Sequence, residues 1–199
     1  MKSAGTPIVI GVGEEFLHDD GAGPAVVAQL RELAAAHLVP PDTRLEVCFG
    51  EPTELIELWR DAQVAIVVDA AVPDAGAGLA AGEVVRWEPG HGSGGTGRAG
   101  AAALRVTAAL GPAAGHALGP GAALALANVL DRVPERLVLY AVVGTDFSLG
   151  PGLSEPVARA VDTVAHDIAD ELRREGLSAR SDRELLSWSD DAPGPRLKP

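Results

Sequence analysis

The chain has 199 residues, of which 47% are apolar and 22% charged, and its formal net charge is −12. That length and apolar content suit one α/β domain with a core of its own. The stretch from Leu177 onward balances its basic and acidic side chains, so the negative excess sits in the body, where it repels a phosphate backbone and argues against nucleic acid as a partner.

In chain order, strand-like runs are PIVIGV (7–12), RLEVCFG (44–50), VAIVVDA (64–70), GEVVRWE (82–88) and RLVLYAVVG (136–144). The third and fifth are almost wholly apolar, as central strands covered on both faces are. The fourth is short and mixed, and reads as an edge strand. Helix-like runs lie at about 24–38, where Pro24 suits a first turn, and at 52–61, with Thr53 as the expected N-cap. Two more lie at 119–132 and at about 154–175. In the last, Val157, Val161, Val164, Ile168 and Leu172 form one apolar stripe at helical spacing. Strands alternating with helices predict a three-layer α/β/α sandwich around a mainly parallel sheet. Residues 1–176 form its single domain. Residues 89–115 are a Gly/Ala-rich insertion, a flexible loop followed by a short helix at 100–110, and 177–199 are a mobile tail.

The single cysteine, Cys48, cannot form a disulfide within the chain, and no cysteine-based zinc site is possible. The apolar start is too short for a signal core, and no uninterrupted apolar run approaches a membrane span. A cytoplasmic protein with no membrane partner is expected.

Parallel sheets gather ligands at the carboxyl ends of their strands, which directs attention to the loops at 13–23, 69–80 and 144–152. The first begins GVGEEFLHDDGAGP. Its Gly11 and Gly13 begin a dinucleotide fingerprint, but the third glycine position holds Phe16, and Glu14, Glu15, Asp19 and Asp20 would repel a pyrophosphate. The same acids suit a cation. An aspartate ahead of a helix also serves as an N-cap, so Asp19 and Asp20 each have a structural alternative.

Asp69 ends the most apolar strand. If the first and third strands are parallel neighbours, Asp20 and Asp69 share one sheet edge. Asp74, farther along, reads as a turn residue. Among the histidines, His37 is near a helix end, His166 is a surface residue and His91 lies in the Gly-rich stretch. His18 is close enough in sequence to Asp20 to approach the same site. His116 directly precedes a helix, which places a ring nitrogen at a helix entrance.

Three segments taken in order, IVIGVGEEFLHDDGAGPAVVAQL, AIVVDAA and GHALGPGAALALANVL, followed by GPGLSEPVARAV, resemble the nickel-iron hydrogenase maturation proteases. These endopeptidases remove a C-terminal extension from the hydrogenase large subunit. The resemblance covers about residues 7–175. It implies a phosphorylase/hydrolase-like sandwich with five strands, one edge strand antiparallel. It implies that Asp20, Asp69 and His116 bind a metal, and that the metal is nickel already installed in the substrate. The implied partner is the large-subunit precursor, and a monomeric protein is expected. Other divalent cations are expected to substitute for nickel in crystals. The chain departs from the family pattern at Glu14, where the family has Asn, and in the long approach to His116.

Two carboxylates and one imidazole leave positions open on a metal shared with a substrate. Asp20 and Asp69 are the candidate catalytic residues. Either the metal polarises the scissile carbonyl or activates water, or it docks the substrate while a carboxylate acts as base. There is no His-Glu-x-x-His helix and no Gly-x-Ser-x-Gly elbow, so zincin and serine-triad mechanisms have no support. Two other classes remain: a non-catalytic metal- or partner-sensing homologue, and a different hydrolase on the same fold.

Overall fold

The computed structural model describes residues 5–72, 78–89 and 119–190, with side chains to 176. Its elements are β1 Ile8–Val12, α1 Ala22–Ala35, β2 Arg44–Cys48, α2 Pro52–Trp59, β3 Val64–Ala71, β4 Val84–Trp87, α3 Gly119–Val129, β5 Arg136–Val143 and α4 Glu155–Asp190. A 3-10 turn, His18–Gly21, leads into α1. Most of the 89–115 insertion, together with Asp74, His91 and His116, lies outside the described residues.

The sheet order is β2-β1-β3-β5-β4. Four strands run parallel, and β4 pairs antiparallel with β5 at the edge, as its short mixed sequence predicts. Alternate side chains of each central strand enter opposite cores. Val9, Ile66, Val68, Val138 and Val142 face α1 and α4. Ile8, Ile10, Val67, Leu137 and Leu139 face α2 and α3. The sheet is thereby covered on both faces, which is why β3 and β5 read as nearly unbroken apolar runs.

The predicted stripe of α4 is buried along its length, from Val157 to Leu172. Each such side chain contributes about 1.5–3 kcal/mol of burial. The helix runs past the predicted end near Glu175 to Asp190. Gly176 alone does not stop it, because a single interior glycine costs only about 1 kcal/mol and no proline follows until Pro193. Among the described residues no helix is long and apolar enough to cross a membrane.

The N-cap of α2 is Glu51, not Thr53. Pro52 fixes the first turn, Glu51 sits extended before it, and its carboxylate accepts from the amides of Thr53 and Glu54 at 2.9 and 3.0 Å. The longer acid caps the helix from two positions earlier, and Thr53 becomes a helical residue whose hydroxyl also donates to Glu51.

Two charged clusters tie the periphery to this frame. At the β4 edge, Arg136 binds Glu88 at 2.7 Å and Glu171 of α4 at 2.5 Å, and Arg86 bridges the same two acids. The Tyr140 hydroxyl donates to Glu171 at 2.9 Å. The hydrogen bonds from Arg136, with smaller help from Arg86, hold the Glu88 carboxyl down at about 2 against the opposing effect of burial.

At the carboxyl edge, Asp19 is fully buried, the one charged side chain so placed among the described residues. Its carboxylate accepts from the amides of Thr145 (2.9 Å), Asp146 (3.1 Å) and Ser154 (2.7 Å), and from the Ser154 hydroxyl at 3.0 Å. Burial alone would raise its pKa, but these donors outweigh burial and lower it. The backbone continues the fastening: His18 N–H donates to Gly150 and Gly150 N–H to Phe16.

Two outcomes are expected. Asp19→Ala leaves three amides without their acceptor and lowers stability by about 2 kcal/mol or more in urea unfolding; a loss under about 0.5 kcal/mol contradicts the clamp. For Glu88 the folded pKa lies below the ordinary value of 4.5. Its contribution is therefore complete above that value and is lost as pH falls through about 2. The stability difference between the wild type and Glu88→Gln should shrink steadily on acidification, and a difference independent of pH contradicts the assignment.

Candidate active site

The turn after β1 is built by close packing rather than for a pyrophosphate. A Cβ at Gly23 would meet the Val12 backbone and the Val68 carbonyl, and one at Gly11 would meet the Gly23 carbonyl. These two glycines let the start of α1 lie directly on the ends of β1 and β3. Gly13 adopts φ 133°, and a Cβ there would collide with the Asp20 carbonyl. The chain thus folds back tightly, and the Glu14 amide donates to Asp20 Oδ2 at 2.7 Å.

Asp69 stands near the end of β3, beside β1, with which β3 runs parallel. The 3-10 turn that carries Asp20 packs against β3. The two sequence-predicted carboxylates therefore share the carboxyl edge of the sheet. Burial, and next the negative charge of Asp20, push the Asp69 carboxyl up to about 8, opposed by a hydrogen bond from the Ala70 amide. Two acids that act on each other at one sheet edge can share a proton or take a cation between them. Among the described residues no third His, Cys, Asp or Glu joins them as a metal-binding group. The third predicted ligand, His116, lies outside the described residues.

His18 turns the other way. Its Nδ1 lies 3.0 Å from the Gly152 carbonyl, and its ring packs so closely on Gly150 that a Cβ there would strike Nε2. It fastens the 144–152 loop, and its expected approach to Asp20 is replaced by that contact. Cys48 ends β2 at the same edge and is buried. Burial pushes its thiol up to about 11; the Gly50 amide opposes this and the charges of Glu54 and Asp69 reinforce it. The thiol is a neutral packing group, not a nucleophile.

The loop's own residues left Asp19 and Asp20 alike, and only the family resemblance singled out Asp20. The structure separates them: Asp19 is the buried fastening and Asp20 the partly exposed acid beside Asp69. The only sequence signal for Asp19 is GTDFSLGPGLS, a loop rich in small and polar residues that offers amides to a carboxylate, and nothing in its spacing names the acceptor.

No protein-family model and no curated protein sequence matches this chain. Solved structures do. The hydrogenase maturating endopeptidase HybD from Escherichia coli is 19% identical, covering 86% of this chain and 94% of its own, with a TM-score of 0.60. The solution structure of an endopeptidase from Escherichia coli gives the same identity and coverage with a TM-score of 0.67. The [NiFe] hydrogenase maturation protease HycI from Thermococcus kodakarensis is 18% identical, covering 84% of this chain and 92% of its own, at 0.57. The mixed five-stranded sheet with helices on both faces is thus the fold of the solved hydrogenase maturation endopeptidases.

Proposed function

We propose that this protein is a cytoplasmic endopeptidase that removes the C-terminal extension of a nickel-iron hydrogenase large subunit after nickel insertion, working as a monomer. The observation that carries the reading is that Asp69, near the end of β3, and Asp20, in the turn that follows the neighbouring parallel β1, are close enough for the charge of one to act on the other. Two carboxyls at one edge suit a cation, whose arrival displaces the proton that Asp69 holds, and their oxygens with the His116 nitrogen form a donor set suited to a divalent transition metal. Nickel here is cargo that arrives with the substrate, so the open positions on it are filled by the substrate's own ligands. Its presence at Asp20 and Asp69 reports that the precursor is loaded and brings the extension to the same edge. Hydrolysis then needs a polarised carbonyl and an activated water, for which the nickel or one of the two carboxylates serves.

A sensing homologue without turnover is the second reading, favoured by Glu14 in the place of the family Asn. The hydrogen bond to Asp20 comes from the backbone amide at this position, and the Glu14 side chain is exposed. Any residue but proline supplies that amide, so Glu14 adds charge without removing the support of Asp20. A different hydrolase on the fold is the third class, and free nucleosides or short peptides should give no turnover.

With nickel-loaded precursor and mass spectrometry of the product, Asp20→Ala, Asp69→Ala and His116→Ala should each slow processing by about 10²–10⁴-fold while circular dichroism stays unchanged. Full activity in all three removes the site assignment. Nickel-free precursor should be cleaved at least about tenfold more slowly, and equal rates remove the sensing role. Glu14→Asn should leave the rate within about threefold; a gain of about a hundredfold supports the sensing homologue instead.

A further inference from the structure

The two faces of β4 differ. On the α4 side Val84 packs on the core and Arg86 reaches Glu171. On the α2 and α3 side stand Val85 and Trp87, both only half-buried. Their direct partners on β5, Ala141 and Leu139, are fully enclosed. Nearby, α3 (GPGAALALANV) has no charged residue. Its Ala123 and Ala127 are buried in the same core. Leu124 and Leu126, two residues apart on a helix, lie on opposite flanks, and both are half-buried. One flank meets α2, which leaves the other turned toward β4. A helix that is apolar all round is one buried on further sides. Val85, Trp87 and the second flank of α3 thus line an apolar trough at the end of the sheet.

The course of the chain says what fills it. Residues 90–118, outside the described residues, begin where β4 ends and finish where α3 starts. β4 runs antiparallel to β5, so it ends toward the amino edge, where Glu88 is bound by Arg136, the first residue of β5. A short link joins α3 to β5, and its Arg132 carbonyl accepts from Trp59 at the end of α2. α3 therefore runs from the carboxyl edge to the amino edge. The segment must climb the height of the sheet, about 26 Å for the eight residues of β5. The α4 side of β4 is occupied, and both ends of the segment flank the trough, so the direct path lies along it. Within the segment, AAALRVTAAL (101–110) has only Arg105 and Thr107 as polar residues. A run this apolar is stabilised by leaving water.

We infer that residues 101–110 dock in the trough, against Val85, Trp87 and the flank of α3, and that this docking sets where the chain enters α3. His116 stands at that entrance, three residues before Gly119. The second step rests on the metal reading given above. With the run seated, only the short stretch 111–118 remains free to move, and a short tether keeps His116 near the carboxyl edge that holds Asp20 and Asp69. The Gly/Ala-rich insertion is then a positioning element: it places the third donor without itself touching metal or substrate.

The test uses the full-length protein. In a Trp188→Phe background, Trp59 is fully buried and serves as the unquenched reference, while Trp87 reports on the trough. Replacing 101–110 by a Gly/Ser run of equal length should raise acrylamide quenching of Trp87 at least about threefold, with urea unfolding still cooperative. Under mild oxidant, Val85→Cys should form a disulfide with at least one of Leu104→Cys, Val106→Cys or Leu110→Cys. That rate should exceed by at least about tenfold the rate for Asp167→Cys, on α4, with the same three. Cys48 is buried and stays out of the exchange. Unchanged quenching, or equal rates from the two faces, overturns the docking. So does a wild-type dimer in sedimentation whose dissociation exposes Trp87, because a second copy then fills the trough. Nickel chloride alone should bind the Gly/Ser variant at least about tenfold more weakly than the wild type by calorimetry. His116→Ala should cost less affinity in that variant than in the wild type, the mark of one element acting through another. Unchanged nickel affinity, or an equal cost of His116→Ala in both, overturns the positioning step. Absence of nickel binding by the wild type, with quenching and disulfides as expected, removes the metal reading and leaves the docking standing.

Discussion

The carboxylate of Asp19 is the point on which the functional edge depends. A buried charge is tolerated only where donors surround it, and here the amides of Thr145, Asp146 and Ser154 do so. Those donors come from the loop after β5 and from the residue just before α4, far from Asp19 in sequence. One side chain therefore joins the turn after β1, the loop after β5 and the start of the longest helix. The backbone bonds of His18 and Gly150 follow from that junction, as does the parallel bridge at Leu17. Because Asp20 is the next residue, its direction is set by its neighbour's burial. A fixed Asp19 leaves Asp20 beside Asp69, where the Glu14 amide meets it.

The electrostatics of the edge extend the same logic. Asp19 keeps its charge because amides satisfy it, whereas Asp69 is driven toward protonation by burial and by Asp20. Asp19 is thus structural and saturated with donors, whereas Asp69, with Asp20 beside it, is matched to something that arrives. At the far edge of the sheet the acids Glu88 and Glu171 are neutralised by Arg86 and Arg136. Basic side chains are spent on holding β4 to α4, and the carboxyl edge keeps its negative field.

Much of the fold was legible because its signals are local. The apolar runs of β3 and β5, the mixed run of β4 and the stripe on α4 each depend on burial along one element, and each stands where its pattern puts it. The shared edge of Asp20 and Asp69 was legible conditionally, since it required only that β1 and β3 be parallel neighbours. What sequence could not resolve lies in contacts between distant segments. Nothing near Asp19 announces that its donors sit at 145–154, and His18 turns to Gly152 for a reason held in the same loop. The Glu51 cap was missed because a hydroxyl was expected where a longer carboxylate reaches farther. The exposure of Phe16, Phe49 and Leu149 was hidden for the opposite reason: large apolar residues predict a core, and only the folded chain shows them outside it.

The division of labour between the two adjacent aspartates is the central claim, and carboxylate NMR tests it most directly. With carbon-labelled aspartate in the full-length protein and cadmium added as a divalent probe, the resonances of Asp20 and Asp69 should move together and saturate together, while that of Asp19 stays in place. A cation that binds and shifts Asp19, or that leaves both Asp20 and Asp69 unmoved, contradicts the account.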